Sequence, residues 1–374
     1  MTDTKKKAIL VNVADSGDAL KVIKELEQLA ETADYETAAS LTQRKEKPDK
    51  TYYIGRGKLE ELKRLVEALG ADIVIFDNDL SGSQFHSLEE FLGVDVIDRE
   101  TLILEIFSRH ARSNEGKLQV ELAQKKKELP RIIGSFEALS RQGGGGAGGG
   151  GARRGGGEQQ KELDRRAIKL EIKHLQEKIK KLGEERARRR ANRQNSNVKT
   201  VSIVGYTNAG KSTLMNALTK AGVPEEDKLF ATLDPVGRKL WLGEGRQVLV
   251  FDTVGFISRL PHHFVEAFKS TLEETINSDL ILHVVDGVSE DILEQYDVVK
   301  EVLESIGAGD IPMLTVYNKC DLGMPQILPD TGNYCVISAK YNRGIDTLKD
   351  KISEILFGKS DTVPDGGFGE ETEE

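Results

Sequence analysis

The sequence predicts an α/β protein in which two strand-and-helix regions flank a long helical insert. Three observations lead there. Short apolar runs alternate with amphipathic stretches over residues 1–110 and again over 198–358. Residues 111–197 instead carry two helical patterns with an apolar 4-3 repeat. A glycine-containing loop leaves one strand and enters one helix at the start of the last region. The expected organisation is a small N-terminal α/β domain (1–110), a long antiparallel helical hairpin (111–197) with a glycine-rich loop at 143–157, a second α/β domain (198–358), and an acidic flexible tail (359–374).

In the first region, Ala8-Ile9-Leu10-Val11-Asn12-Val13 reads as a buried strand. Asp18 to Ala33 reads as a helix with Leu20, Ile23, Leu26 and Leu29 on one stripe. Thr51-Tyr52-Tyr53-Ile54 is strand-like, Lys58 to Leu69 helical, and Ala71 to Phe76 a strand. Ser81 to Leu92 is helical and Val94 to Ile97 is a fourth short strand. Gly55-Arg56-Gly57-Lys58 opens a helix with two cations, a pattern suited either to a phosphate or to a tight basic turn. It is neither a Walker loop nor a full dinucleotide fingerprint.

In the insert, Leu118, Leu122, Leu129, Ile132, Phe136 and Leu139 form one seam, interrupted by Lys125. Ile168, Ile172, Leu175, Ile179 and Leu182 form a matching one. Pro130 is expected to kink the first helix. Eleven of the fifteen residues from Gly143 to Gly157 are glycine, so the connecting loop is expected to be mobile when free. Arg141, Arg153 and Arg154 flank or punctuate it, which suits close approach to RNA phosphates as well as a plain flexible connection.

The net charge of −9 is uneven. Residues 111–200 hold 23 Lys and Arg against 11 Asp and Glu, a surplus of 12, while the rest is strongly acidic. Such a chain offers a phosphate backbone one basic region only. No run approaches the 18 apolar residues of a membrane span, and the short run at Ala8–Val13 does not suit a secretory signal. Two cysteines, Cys320 and Cys335, give no disulfide framework or metal cluster. A cytoplasmic protein without integral membrane association is expected.

The third region carries the chemistry. Gly205-Tyr206-Thr207-Asn208-Ala209-Gly210-Lys211-Ser212 lies between the strand Val201–Val204 and the helix Ser212–Thr219, the context a phosphate loop requires. Backbone N–H groups from Asn208 to Ser212 are expected to cradle phosphates, with Lys211 on the β- and γ-phosphates and Ser212 on Mg²⁺. Asp252-Thr253-Val254-Gly255 follows the strand Val248–Phe251; Asp252 is expected to hold Mg²⁺ through water, and Gly255 to donate to the γ-phosphate. Phe230-Ala231-Thr232-Leu233-Asp234-Pro235 is the expected first switch. Thr232 is the chosen second Mg²⁺ ligand, with Thr253 and Ser258 as alternatives. Asn318-Lys319-Cys320-Asp321 reads the base: a carboxylate accepting from two guanine donors rejects adenine. Lys319 is expected to lie over the base, and Ser338-Ala339-Lys340 to hold the guanine oxygen through a backbone N–H. These residues define a P-loop GTPase domain, with Lys211, Thr232 and Gly255 as its catalytic groups. The residue after Gly255 is Phe256, which cannot orient water as a glutamine there does, so slow intrinsic hydrolysis stimulated by a partner is expected. Asn208 sits where some phosphate loops help bind K⁺, which adds K⁺ to GTP and Mg²⁺ as a candidate cofactor.

Together with Leu229-Phe230-Ala231-Thr232-Leu233-Asp234-Pro235, Asp252 to Ile257, Ser140-Arg141-Gln142-Gly143-Gly144, Asp164-Arg165-Arg166 and Tyr53-Ile54-Gly55-Arg56-Gly57-Lys58, the phosphate loop resembles the HflX family of translational GTPases over about residues 5–358. The resemblance implies a monomeric factor that binds the large ribosomal subunit and its rRNA and splits or rescues stalled ribosomes. It implies that the helical arm reaches towards the peptidyl-transferase region, that Ser212 and Thr232 bind Mg²⁺, and that residues 205–212, 230–234, 252–255, 318–321 and 338–340 contact GTP. Two departures stand out. The glycine loop is richer in glycine than the family's usual run, and after Phe357 only an acidic tail is expected where some members carry a further domain. Two other readings fit the residues: an RNA-remodelling NTPase with a second, ATP-binding site at Gly55–Lys58, and a GTP-dependent scaffold away from ribosomes.

Overall fold

The computed structural model describes the chain except residues 1–4, 15–17, 143–153, 196–197, 220–228, 231–235, 244, 260–268, 331 and 359–374. The glycine-rich loop up to Arg153, the acidic tail, and Ala231, Thr232, Leu233 and Asp234 therefore lie outside the described residues. The fold is α/β, and the chain divides into two compact units. One comprises Met1–Asn195 with Glu226–Asp234 and Ser258–Thr271; the other comprises Ser196–Glu225, Pro235–Ile257 and Leu272–Glu374.

The first unit contains a four-stranded parallel sheet in the order β2-β1-β3-β4. Its strands are β1 (Lys6–Ala14), β2 (Tyr35–Arg44), β3 (Ile73–Phe76) and β4 (Asp95–Asp98). Between them run α1 (Ala19–Thr32), α2 (Arg56–Leu69) and α3 (Gly82–Leu92), and α4 (Arg99–His110) follows β4. Local chemistry sets the helix starts. The Asp18 carboxylate accepts from the amides of Leu20 and Lys21, satisfying donors that have no intrahelical partner. Ser81 and Gln84 form a reciprocal capping box at α3. Ile9, Val11, Leu62, Val74, Phe76, Phe85 and Leu88 are buried in one core.

Two strand expectations change. Thr51–Ile54 forms no strand: Tyr53 has a left-handed φ of 64° and exchanges backbone hydrogen bonds with Asp49 across a turn. The fourth strand is β2, whose sequence, Tyr-Glu-Thr-Ala-Ala-Ser-Leu-Thr-Gln-Arg, shows little apolar alternation. It lies at the sheet edge, where partial exposure relaxes the need for an apolar pattern.

The helical insert comprises α5 (Asn114–Gln142) and α6 (Arg154–Asn195). At 1.5 Å per residue these extend roughly 44 and 63 Å. α5 continues as one helix through Pro130, and α6 takes Gly155, Gly156 and Gly157 into its first turn rather than leaving them in the loop. Ile168 and Leu175 of the predicted seam are buried, as are Val120, Leu122 and Ala123 of α5. Lys125, the break in the α5 seam, pairs with Glu171 of α6 at 3.0 Å and with Glu128 at 3.1 Å. Glu115 pairs with Arg186 at 2.8 Å, so partner numbers rise along α5 as they fall along α6.

The second unit holds a six-stranded sheet in the order β10-β9-β8-β5-β7-β6. Its strands are β5 (Lys199–Gly205), β6 (Val236–Trp241), β7 (Gln247–Asp252), β8 (Leu280–Asp286), β9 (Met313–Asn318) and β10 (Tyr334–Val336). All pairings are parallel except β6 with β7. Parallel strands buried on both faces read as continuous apolar runs, which is why Val201–Val204, Val248–Phe251 and Leu314–Tyr317 were legible. The helix α7 (Lys211–Thr219) follows β5 and packs Leu214, Met215 and Leu218 into the core.

Candidate functional site

The predicted motifs sit at the carboxyl ends of β5, β7 and β9 and just after β10, where an open α/β sheet binds ligands. The loop Tyr206–Gly210 joins β5 to α7, and its conformation needs special backbone. Asn208 adopts φ 62° and Gly210 φ 91°. A Cβ on Gly210 would lie 2.3 Å from Asn318 Nδ2, so a side chain here is excluded twice, by conformation and by space. This loop shape, opening into the N-terminus of α7, turns backbone amides towards an anion.

Lys211 is buried, and its Nζ donates to the Tyr206 carbonyl at 2.7 Å across the loop. Burial pulls the amine down to about 8, while the negative charge of Asp252 works in the opposite direction. An ammonium held in this way lacks a full counter-charge, and a phosphate would supply one. The Ser212 hydroxyl donates to Asp252 Oδ2 at 2.9 Å. This places a hydroxyl and a carboxylate side by side, an oxygen donor set that suits Mg²⁺. Thr253 donates to the Ile203 carbonyl at 2.7 Å and is fully buried, and Ser258 donates to the Glu25 carboxylate, so both alternatives to Thr232 are engaged by protein.

The segment after Asp252 lies on the phosphate loop. Phe256 N–H donates to the Gly205 carbonyl at 3.1 Å, and Thr207 N–H donates to the Phe256 carbonyl at 2.7 Å. A Cβ on Gly255 would meet Thr207 Cγ2 at 2.8 Å and Lys211 Nζ at 3.1 Å. The absence of a side chain at Gly255 therefore lets this backbone approach Thr207 and Lys211 closely. The Phe256 ring is buried.

Asn318 joins three motifs. Its Nδ2 donates to the Ala209 carbonyl at 3.0 Å, and its Oδ1 accepts from the Ala339 amide at 3.0 Å. Of the amides expected to serve the guanine oxygen, that of Ala339 is thus engaged by Asn318, and that of Ser338 donates to the Arg343 carbonyl. Asp321 Oδ1 accepts from the Ser338 hydroxyl at 2.5 Å, which holds this carboxyl below the usual carboxylate range. It is ionised at neutral pH, as a group accepting two guanine donors must be. Lys319 has a left-handed φ of 66°, and its Nζ pairs with Asp286 at 2.8 Å. Asp286, at the end of β8, was not foreseen; no motif spacing marks it. Lys340 Nζ lies 5.6 Å from the ring centroid of Tyr341. Cys320 is a free thiol whose amide donates to the Ile337 carbonyl. Phe230 belongs to the first unit, where its ring is buried edge-on to Phe107 at 4.8 Å between centroids.

Two other clusters lie in the first unit. On the surface of α2, Arg56 pairs with Glu60 and Lys58 with Glu61, and the Gly55 amide donates to Gln43 Oε1. Asp79, Asp98 and Glu100 form a carboxylate cluster, but Lys127 pairs with Asp98 at 2.6 Å and with Glu100. Among the described residues, no helix is long and apolar enough to cross a membrane.

Comparison with known proteins agrees with this geometry. Residues 21–108 match the family described as GTP-binding GTPase N-terminal, residues 110–193 the GTP-binding GTPase middle region, and residues 200–319 the family described as 50S ribosome-binding GTPase. A protein named GTPase HflX from Caldanaerobacter subterraneus subsp. tengcongensis is 50% identical over 360 residues, covering 96% of this chain and 82% of that protein. GTPase HflX of Escherichia coli is 40% identical over 364 residues, covering 96% and 84%. Among solved structures, SsGBP in complex with GDP aligns with a TM-score of 0.51 at 27% identity, covering 94% of this chain and 98% of that one.

Proposed function

The chain belongs to the HflX family of GTPases, and from that premise we propose that it is a GTP-gated factor that binds the large ribosomal subunit through rRNA and dissociates or rescues ribosomes. GTP binding and hydrolysis to GDP and phosphate follow from the family and the GTPase domain. The observation that carries the ribosomal reading is the arm. α6 exposes Lys169, Lys173, Lys178, Lys180, Lys181 and Arg188, and it ends at Asn195, four residues before β5 leads into the phosphate loop. A basic helix of this length, carried by an acidic chain, suits a phosphate backbone.

In this reading Ser212, Thr232 and, through water, Asp252 would hold Mg²⁺, and the ion would supply positive charge to neutralise the phosphates. Lys211 binds the same phosphates, and the Gly255 amide donates to the γ-phosphate. Asp321 and the 338–340 loop select guanine. Phe256 carries no group that orients water, so turnover stays slow until a ribosomal partner completes the site. Asn208 would supply one ligand for K⁺, and equal turnover in K⁺ and Na⁺ would remove that role.

The test is GTP turnover with and without purified large subunits, paired with sedimentation in a non-hydrolysable GTP analogue. Stimulated turnover and co-sedimentation are expected. Failure to co-migrate with the large subunit, with no conversion of whole ribosomes to subunits, would overturn the proposal.

A further inference from the structure

The N-terminal sheet runs β2-β1-β3-β4 with every pairing parallel. In this order the strand sequence reverses between β1 and β3, and the crevice beyond their carboxyl ends is where open α/β sheets take their ligands. Asn12 of β1 and Asp77, the residue after β3, are buried there, with Asn12 Nδ2 donating to Asp77 Oδ2 at 3.1 Å. The same crevice binds residues 258 and 259 of this chain.

Arg259 Nη1 donates to Asp77 Oδ2 at 2.9 Å. Arg99, the first residue of α4 and only 4% exposed, donates from Nη1 to Asp77 Oδ1 at 2.9 Å and from Nη2 to the Ser258 carbonyl at 3.2 Å. Its Nη2 also pairs with Glu25 of α1 at 3.1 Å. Glu25 in turn accepts from the Ser258 hydroxyl at 2.7 Å. Two carboxylates and two guanidiniums thus neutralise one another around two consecutive residues. Buried charges that lose a partner are costly, so the network and the segment hold each other.

The first switch is held by the same two helices. The Leu229 amide donates to Thr32 Oγ1 of α1 at 3.3 Å, and the Phe230 ring packs on Phe107 of α4. Glu25 and Thr32 are seven residues apart on α1, and Arg99 and Phe107 eight apart on α4, so each helix uses one face two turns long. One end of this platform holds the chain three and two residues before Thr232, at Leu229 and Phe230; the other holds it three residues after Gly255, at Ser258. Phe230 and Arg259 both adopt left-handed backbone, φ 58° and 54°, which side-chain-bearing residues avoid unless their surroundings impose it.

We propose that the carboxyl end of the N-terminal sheet is an internal receptor for the two nucleotide-sensing segments, with Arg99 and Glu25 as positioning residues that act through Ser258 on the segment carrying Gly255. The proposal rests on GTP binding at the phosphate loop and does not require the ribosomal reading. A γ-phosphate that repositions Gly255 or Thr232 must either strain α1 and α4 or release the network. Linkage makes the effect reciprocal: whatever holds α1 and α4 biases the nucleotide state.

The test uses the full chain without ribosomes. In the wild type, amide exchange in α1 and α4 should differ between GDP and a non-hydrolysable GTP analogue. In Ser258→Ala/Arg259→Gln that difference should vanish while both nucleotides still bind, and the ratio of GTP-analogue affinity to GDP affinity should change by roughly fivefold or more. Glu25→Gln reads the same loss from a position remote in sequence from the GTP motifs; it lowers the melting temperature, since Arg99 loses a counter-charge, and a transition that stays cooperative checks the fold. Identical exchange with both nucleotides in the wild type, or a difference that survives in Glu25→Gln, would overturn the proposal.

Discussion

The carboxyl ends of the two sheets hold their ligands with different materials. In the six-stranded sheet the site is made mainly of backbone: a loop with left-handed Asn208 and Gly210, a glycine approach at Gly255, and one buried amine. In the four-stranded sheet it is made of side chains: Glu25, Asp77 and Arg99, drawn from α1, the end of β3 and α4. A backbone cradle must be built from consecutive residues, so it appears in the sequence as a motif. A charge network can collect its members from anywhere, so it has no spacing to read. The first is complete in charge only when a phosphate arrives; the second is already neutralised by Arg259.

That contrast predicts opposite responses to removing the central cation. Arg99→Ala should lower unfolding stability by about 3–5 kcal/mol, because Asp77 and Glu25 lose a buried counter-charge. Urea denaturation measures it, and a loss under about 1 kcal/mol would mean the network is not needed for stability. Lys211→Ala should do the reverse. It should cost roughly 10²- to 10³-fold in GTP turnover, the scale of losing one group aimed at transition-state charge. Its melting temperature should hold or rise, since an amine pulled down to about 8 by burial opposes folding while it is charged.

Asp321→Asn sharpens the comparison within the nucleotide site. The carboxylate accepts where an amide would donate, so the preference for GTP over xanthosine triphosphate should fall by about a hundredfold or more, read by competition binding. The smallest effect is a pH dependence. The Lys211 pKa lies below its unfolded value, so the unfolded chain binds more protons between about 8 and 10.5, and stability of the nucleotide-free protein should rise with pH across that window. Nucleotide phosphates favour the charged amine, so affinity should fall above pH 8, by at most about tenfold per pH unit. Titration calorimetry at pH 7, 8 and 9 checks the sign, and Lys211→Ala should lose the slope.

Much of the fold was legible for physical reasons that act locally. Apolar runs marked β1, β3, β5, β7 and β9 because parallel strands are covered on both faces, and Asp18 and Ser81 marked helix starts because their side chains cap them. β2 escaped because an edge strand needs little apolar pattern, and Thr51–Ile54 misled because its aromatic residues serve a turn. Among the site residues, Gly205–Ser212, Asp252–Gly255 and Asn318–Asp321 were readable as motifs. Asp286, the partner of Lys319, was not.

The sequence by itself marked the chemistry: a phosphate-loop motif, an Asn-Lys-x-Asp motif and a basic arm, each written in neighbouring residues because backbone geometry and helical periodicity are local. Only the tertiary structure decided what the segments beside Thr232 and Gly255 are attached to. Glu25, Asp77, Arg99 and Arg259 lie far apart along the chain, and what joins them is the requirement that buried charges meet their counter-charges. That requirement acts on distance in the folded molecule and leaves no mark on spacing in the chain.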